Sequence, residues 1–84
     1  MVEVHLYGKL RRFTDNLDPT RDSVLHVPAH KGDTIEQVIR RIGIPVAEVG
    51  KNMFLNGLYS PLGRPVRDGD RLGLFPDNMD MIIV

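Results

Sequence analysis

Apolar and polar residues alternate at the start of the chain. Val2, Val4 and Leu6 interleave with Glu3, His5 and Tyr7, a period of two that marks a strand with one buried face. Gly8 ends that strand. Leu10 and Phe13 flank the polar turn Arg11-Arg12 and are expected to close one side of a core. Residues 14–23 are polar and rich in breakers, which reads as a loop. Val24-Leu25-His26-Val27 is a second short strand stopped by Pro28. It is expected to pair antiparallel with the first across that long connection. After Gly32-Asp33-Thr34 the period changes. Ile35, Val38, Ile39 and Ile42 share one face of an amphipathic helix. Thr34 with Gln37 fits a capping box, Gly43 stands at the C-terminal stop, and Arg40 and Arg41 complement the helix dipole.

Ile44-Pro45 breaks the chain, and Pro45 to Val49 is expected to make one further helical turn ended by Gly50. Asn52 to Leu55 is a third strand. Asn56-Gly57 is a hairpin turn, because its two central residues need positive φ, and Leu58 to Ser60 begins the return strand. Pro61, Gly63 and Pro65 make residues 61–67 a loop. A tight turn at Asp68-Gly69 feeds the last strand, Arg71 to Phe75, closed by Pro76. The result is an α+β domain: a mixed four- to five-stranded sheet packed on one main helix. The first and last strands are expected to be neighbours at its centre. This is the β-grasp arrangement. No repeat or linker divides the chain, so residues 1–84 read as a single domain, with 77–84 as a C-terminal tail.

Strand parity also says which side chains face away from the helix. If Val2, Val4 and Leu6 point inward, Tyr7 points outward. Leu72 and Leu74 inward send Phe75 outward, and Met53 and Leu55 inward send Phe54 outward. Three of the five aromatic residues then share the sheet face opposite the helix. Such a face is a candidate protein-docking patch, with Arg71 at its edge.

Composition narrows the chemistry. The chain has no cysteine, which removes disulfides, a thiol nucleophile and thiolate metal sites. Eleven basic residues balance eleven acidic ones, which argues against a nucleic-acid partner and leaves an RNA-binding β-grasp module as a minor alternative. There is no signal-peptide pattern and no apolar run of membrane-spanning length, so a cytoplasmic location away from membranes is expected. His5, His26 and His30 read as solvated histidines, with His5 and His26 as cross-strand neighbours, and no metal is assigned. Asp68 and Asp70 read as turn formers rather than a catalytic dyad. Ser23 and Ser60 have no base at motif spacing. Gly-Lys at residues 8–9 and 50–51 lacks the rest of a phosphate-binding loop. No catalytic residue and no cofactor are assigned.

Several segments together resemble the ThiS/MoaD family of ubiquitin-like sulfur carriers. They are the opening Val4-His5-Leu6-Tyr7-Gly8-Lys9-Leu10-Arg11, then Gly32-Asp33-Thr34-Ile35 and Ile42-Gly43-Ile44-Pro45 around the helix. The most specific are Phe54-Leu55-Asn56-Gly57 and, ten residues on, Arg67-Asp68-Gly69-Asp70-Arg71-Leu72. The resemblance implies a non-enzymatic sulfur carrier. It would work beside a ubiquitin-activating-type adenylyltransferase or a cofactor-synthesis enzyme, as a monomer or transient heteromer, in molybdenum or tungsten cofactor, thiamine or related sulfur metabolism. Such carriers end in Gly-Gly, whose carboxylate is adenylated and thiocarboxylated. All eight glycines here are isolated, and the chain ends Met81-Ile82-Ile83-Val84. The expectation is therefore that Val84 is not a substrate for that chemistry. A carrier that has lost it would remain a protein-binding or regulatory subunit.

Overall fold

A computed structural model describes residues 1–14 and 23–77. The expected polar loop falls largely, and the expected tail beyond Asp77 wholly, outside the described residues. Among the described residues the strands are β1 (Val2–Leu6), β2 (Ser23–Val27), β3 (Val49–Leu55), β4 (Leu58–Tyr59) and β5 (Arg71–Pro76), with one α-helix, α1 (Ile35–Ile42), and the expected short turn, a 3₁₀ helix at Val46–Glu48, between β2 and β3. The sheet order is β2-β1-β5-β3-β4. β1 runs parallel to β5 at the centre, while β1–β2, β3–β5 and β3–β4 are antiparallel. The fold is the expected β-grasp, a mixed five-stranded sheet with one main helix.

Helix α1 spans the residues its pattern predicts, for the predicted reasons. The Thr34 N–H donates to Gln37 Oε1 at 2.9 Å, closing the capping box. Gly43 takes a left-handed φ of 94°, and its N–H returns to the carbonyls of Arg40 and Ile39. Ile35, Val38 and Ile39 are buried in one cluster with Val2, Val4, Leu6, Met53, Leu55, Leu72 and Leu74. Ile42, expected to be equally buried, is only partly so; it is the last residue of α1.

Two elements depart from the sequence pattern. Gly8–Phe13 is a 3₁₀ helix where a polar turn was expected. Side chains three apart eclipse in a 3₁₀ helix, so Leu10 is buried and Phe13 packs beside it. Strand β3 begins at Val49 rather than Asn52, with a register shift between Val49 and Met53. At that shift the backbones of β3 and β5 approach closely. A Cβ on Gly50 would lie 2.7 Å from the Pro76 carbonyl oxygen, so only glycine fits there.

Candidate docking surface

The face of the sheet opposite α1 is built by the outward half of each strand. The cross-strand row through its middle is Val24, His5, Gly73, Phe54 and Tyr59. On one side of that row lie His26, Glu3 and Arg71. On the other side are Tyr7 and Phe75. The parallel ladder continues past β1 through a Tyr7 N–H bond to the Leu74 carbonyl at 3.2 Å, which sets Tyr7 beside Phe75. Their rings stack at 4.4 Å between centroids and 8° between planes. Phe54 meets Phe75 edge-on at 6.0 Å and Tyr59 edge-on at 5.9 Å. Four rings thus form one contiguous patch, in the offset and T-shaped arrangements aromatic quadrupoles favour.

The three rings singled out by parity, Tyr7, Phe54 and Phe75, and the expected edge residue Arg71 line one groove of about 410 Å³. His5, Gly57 and Gly73 complete its lining. Tyr59 is a member of the patch that parity did not assign. The signal for it was present: a two-residue turn at Asn56-Gly57 pairs Leu55 with Leu58 and therefore Phe54 with Tyr59. Gly73 forms the floor. Its φ lies outside the left-handed region, so the backbone does not demand glycine there. A Cβ at this position would sit 3.7 Å from Tyr7 Cε2, in ordinary contact. The missing side chain leaves the groove open.

The polar end of the face is organised around Glu3. Glu3 Oε2 lies 2.7 Å from His5 Nε2, and Oε1 lies 3.9 Å from Nε2 of His26. The bond to His5 holds the Glu3 carboxyl below its usual range, helped by the nearby charges of His5, His26 and Arg71. His5 and His26 are cross-strand neighbours, as expected, in a diagonal arrangement. The register pairs His26 with Glu3 and His5 with Val24, so the two rings lie diagonally with the carboxylate between them. Among the described residues no group of three or more His, Cys, Asp and Glu side chains could hold a metal ion.

The turns that carried the family resemblance are one hydrogen-bonded unit. Asn56 (φ 52°) and Gly57 (φ 81°) make the left-handed hairpin turn. Asn56 Nδ2 donates to Asp70 Oδ1 at 3.0 Å, and the Arg71 N–H donates to Asn56 Oδ1 at 2.9 Å. Asp70 in turn accepts the Arg67 N–H at 2.8 Å, as a turn former does. Bonds from Asn56 and Arg67 lower the Asp70 pKa against a partial burial that raises it. Asp68 holds the Met1 ammonium. The unit fixes the start of β5, and so the place of Arg71 at the rim of the groove.

A mixed five-stranded sheet with one main helix is the β-grasp fold of ubiquitin-like domains. The chain belongs to the Mut7-C ubiquitin family, whose model matches residues 1–81. Among solved structures it is similar to a protein from Pyrococcus furiosus described as molybdopterin converting factor subunit 1. The TM-score is 0.66 at 20% identity, over 89% of this chain and 94% of that one. At that identity the likeness is one of fold. No curated protein matches the chain. Among the described residues no helix is long and apolar enough to cross a membrane.

Proposed function

We propose that this chain is a non-catalytic ubiquitin-like docking domain that binds a protein partner through the outer face of its sheet. The observation that carries this is the ring patch of Tyr7, Phe54, Tyr59 and Phe75, with Tyr59 60% exposed and Tyr7 39% exposed. Contiguous exposed apolar surface of this kind marks interaction sites in small soluble domains, and tyrosine is among the residues enriched at binding hot spots. The family description sets the ubiquitin fold beside the name Mut7-C, so the partner of first choice is a protein or segment of that name. The test is a titration of the isotope-labelled domain with such a partner. Shifts should gather at Tyr7, Phe54, Tyr59, Gly73 and Phe75, and Tyr59→Glu should weaken binding far more than it lowers stability. Shifts confined to the α1 side, or none, would refute the proposal.

The resemblance to sulfur carriers supports a second reading. In it the chain works beside a ubiquitin-activating-type adenylyltransferase in molybdenum or tungsten cofactor, thiamine or related sulfur metabolism. The same face would then dock that enzyme. The two readings separate by intact mass after incubation with ATP, a sulfide source and the adenylyltransferase. A gain equal to one oxygen replaced by sulfur supports the carrier, and an unchanged mass supports the docking domain.

A further inference from the structure

The outer groove changes character along β5. The outward positions are Arg71, then Gly73, then Phe75. Successive outward positions on a strand stand about 7 Å apart, twice a rise of roughly 3.3 Å. A cation, a bare floor and an aromatic wall therefore follow one another at that interval. The neighbouring carboxylate, Glu3, is engaged by His5 and His26. Among the described residues the Arg71 guanidinium makes no direct ion pair, though its charge acts on Glu3 across the ladder, and Arg71 is exposed.

Building on the docking role above, we propose that the groove takes an extended acidic segment of a protein partner, with the pattern acid, any residue, bulky apolar residue. In an extended chain the side chains of residues two apart point the same way and stand about 7 Å apart. A carboxylate seated on Arg71 thus sets its second neighbour over Gly73, between Phe54 and the Tyr7–Phe75 stack. Arginine suits this task because its planar fork can bind a carboxylate through two parallel bonds. Gly73 suits it because a side chain there would occupy the seat of the apolar group. A single-stranded nucleic acid fits less well. Aromatic faces could stack its bases, but its phosphates call for several free cations. This groove offers Arg71 beside Glu3, on a chain of zero net charge.

The test titrates the isotope-labelled domain with short capped peptides of Gly and Ser that carry Asp-Ser-Trp, Lys-Ser-Trp or Asp-Ser-Ala, and with a single-stranded oligonucleotide. The Asp-Ser-Trp peptide should shift the amides of Phe54, Gly73 and Phe75, and the Asp-Ser-Ala peptide should not; equal shifts by the two would refute the apolar seat. The Lys-Ser-Trp peptide should bind about fivefold more weakly, the scale of an exposed ion pair. Arg71→Glu should reverse that order, and Arg71→Gln should abolish the preference without reversing it. If both tryptophan peptides bind the groove alike, or the order survives Arg71→Glu, the acidic partner is refuted while docking at this face stands. If no peptide shifts the groove residues, or only the oligonucleotide does, the acidic segment is refuted and protein docking at this groove loses its support.

Discussion

On the helix side of the sheet, Val4 and Leu74 have no accessible surface, while on the other side Tyr59 keeps 60% of its own. Both faces are apolar at their centre, and both come from the same strands read at alternate positions. The inner face is covered by Ile35, Val38 and Ile39 of α1. The outer face is covered by no described residue, so its rings cover one another, Tyr7 on Phe75 and Phe54 edge-on between Phe75 and Tyr59. Each such ring pair is worth about 0.5–1.5 kcal/mol, enough to hold the patch in shape but far less than burial against a helix. The inner face thus carries most of the stability, and the outer rings add little to it.

The largest effect should come from the inner face. Ile39→Ala removes a fully buried side chain at the centre of the α1–sheet contact and should cost about 2–5 kcal/mol. Urea denaturation measures it. A loss no larger than that of an outer-face substitution would erase the distinction between the two faces. The next effect lies where the sheet is tightest. Gly50→Ala would place a Cβ 2.7 Å from the Pro76 carbonyl oxygen, a backbone atom that cannot swing aside. A cost of about 1–3 kcal/mol is expected. Gly73→Ala, on the outer face with its nearest atom at 3.7 Å, should be tolerated, so the pair tests whether close approach or strand position decides the cost.

A third prediction concerns how α1 is anchored over the inner face. Asp33, just before the helix, is buried and takes both arms of Arg41 at 2.7 and 2.8 Å, plus the His30 N–H at 2.7 Å. The bond to Arg41 first, then that to His30, lowers its pKa from 3.8 to about 2. A depressed carboxylate pKa means the unfolded state takes up the proton first, so the stability it gives is complete above about pH 4 and is lost as pH falls toward 2. Asp33→Asn should lower the urea midpoint at neutral pH, and the gap from wild type should close across that acid range. A gap that stays constant with pH would show that the loss comes from packing rather than charge.

Much of this was legible in the sequence, for reasons that also mark its limits. The helix was legible because its apolar stripe, capping box and Gly43 stop agree with one another. The outer rings were legible because parity in β1, β3 and β5 follows from their inward Val, Leu and Met residues. Tyr59 lay one inference further, since β4 is only two residues long and shows no alternation of its own. Gly73 could not be read at all. A glycine within a strand signals a bulge as readily as an open floor, and only its neighbours across the sheet decide. The same holds for Gly50, whose constraint comes from Pro76 across the register shift. The Asp33–Arg41 pair joins a loop to the last turn of a helix, a separation with no periodic signature. The 3₁₀ helix at Gly8–Phe13 was masked by Arg11-Arg12, whose polarity suggests a turn. Arg12 in fact lies over the Phe13 ring at 4.5 Å and pairs with Glu48.

A small stability effect is expected at Tyr59 too, and it separates the two faces most sharply. Its ring is 60% exposed and touches the patch through Phe54 alone among the ring contacts. β4 pairs with β3 at just two positions, so little of the sheet depends on this side chain. Tyr59→Ala should therefore change unfolding free energy by no more than about 1 kcal/mol, the upper range of one edge-on ring contact with its small buried area. If the outer face is a docking surface, the same substitution should weaken partner binding by about tenfold or more, since truncating an interface tyrosine at a hot spot commonly costs above 1–2 kcal/mol. Stability and affinity would then be uncoupled at Tyr59 and coupled at Ile39, where any loss of binding should follow the loss of fold. A Tyr59→Ala protein that binds normally would place the docking determinant elsewhere. One that loses stability as Ile39→Ala does would mean that the outer rings form a second core.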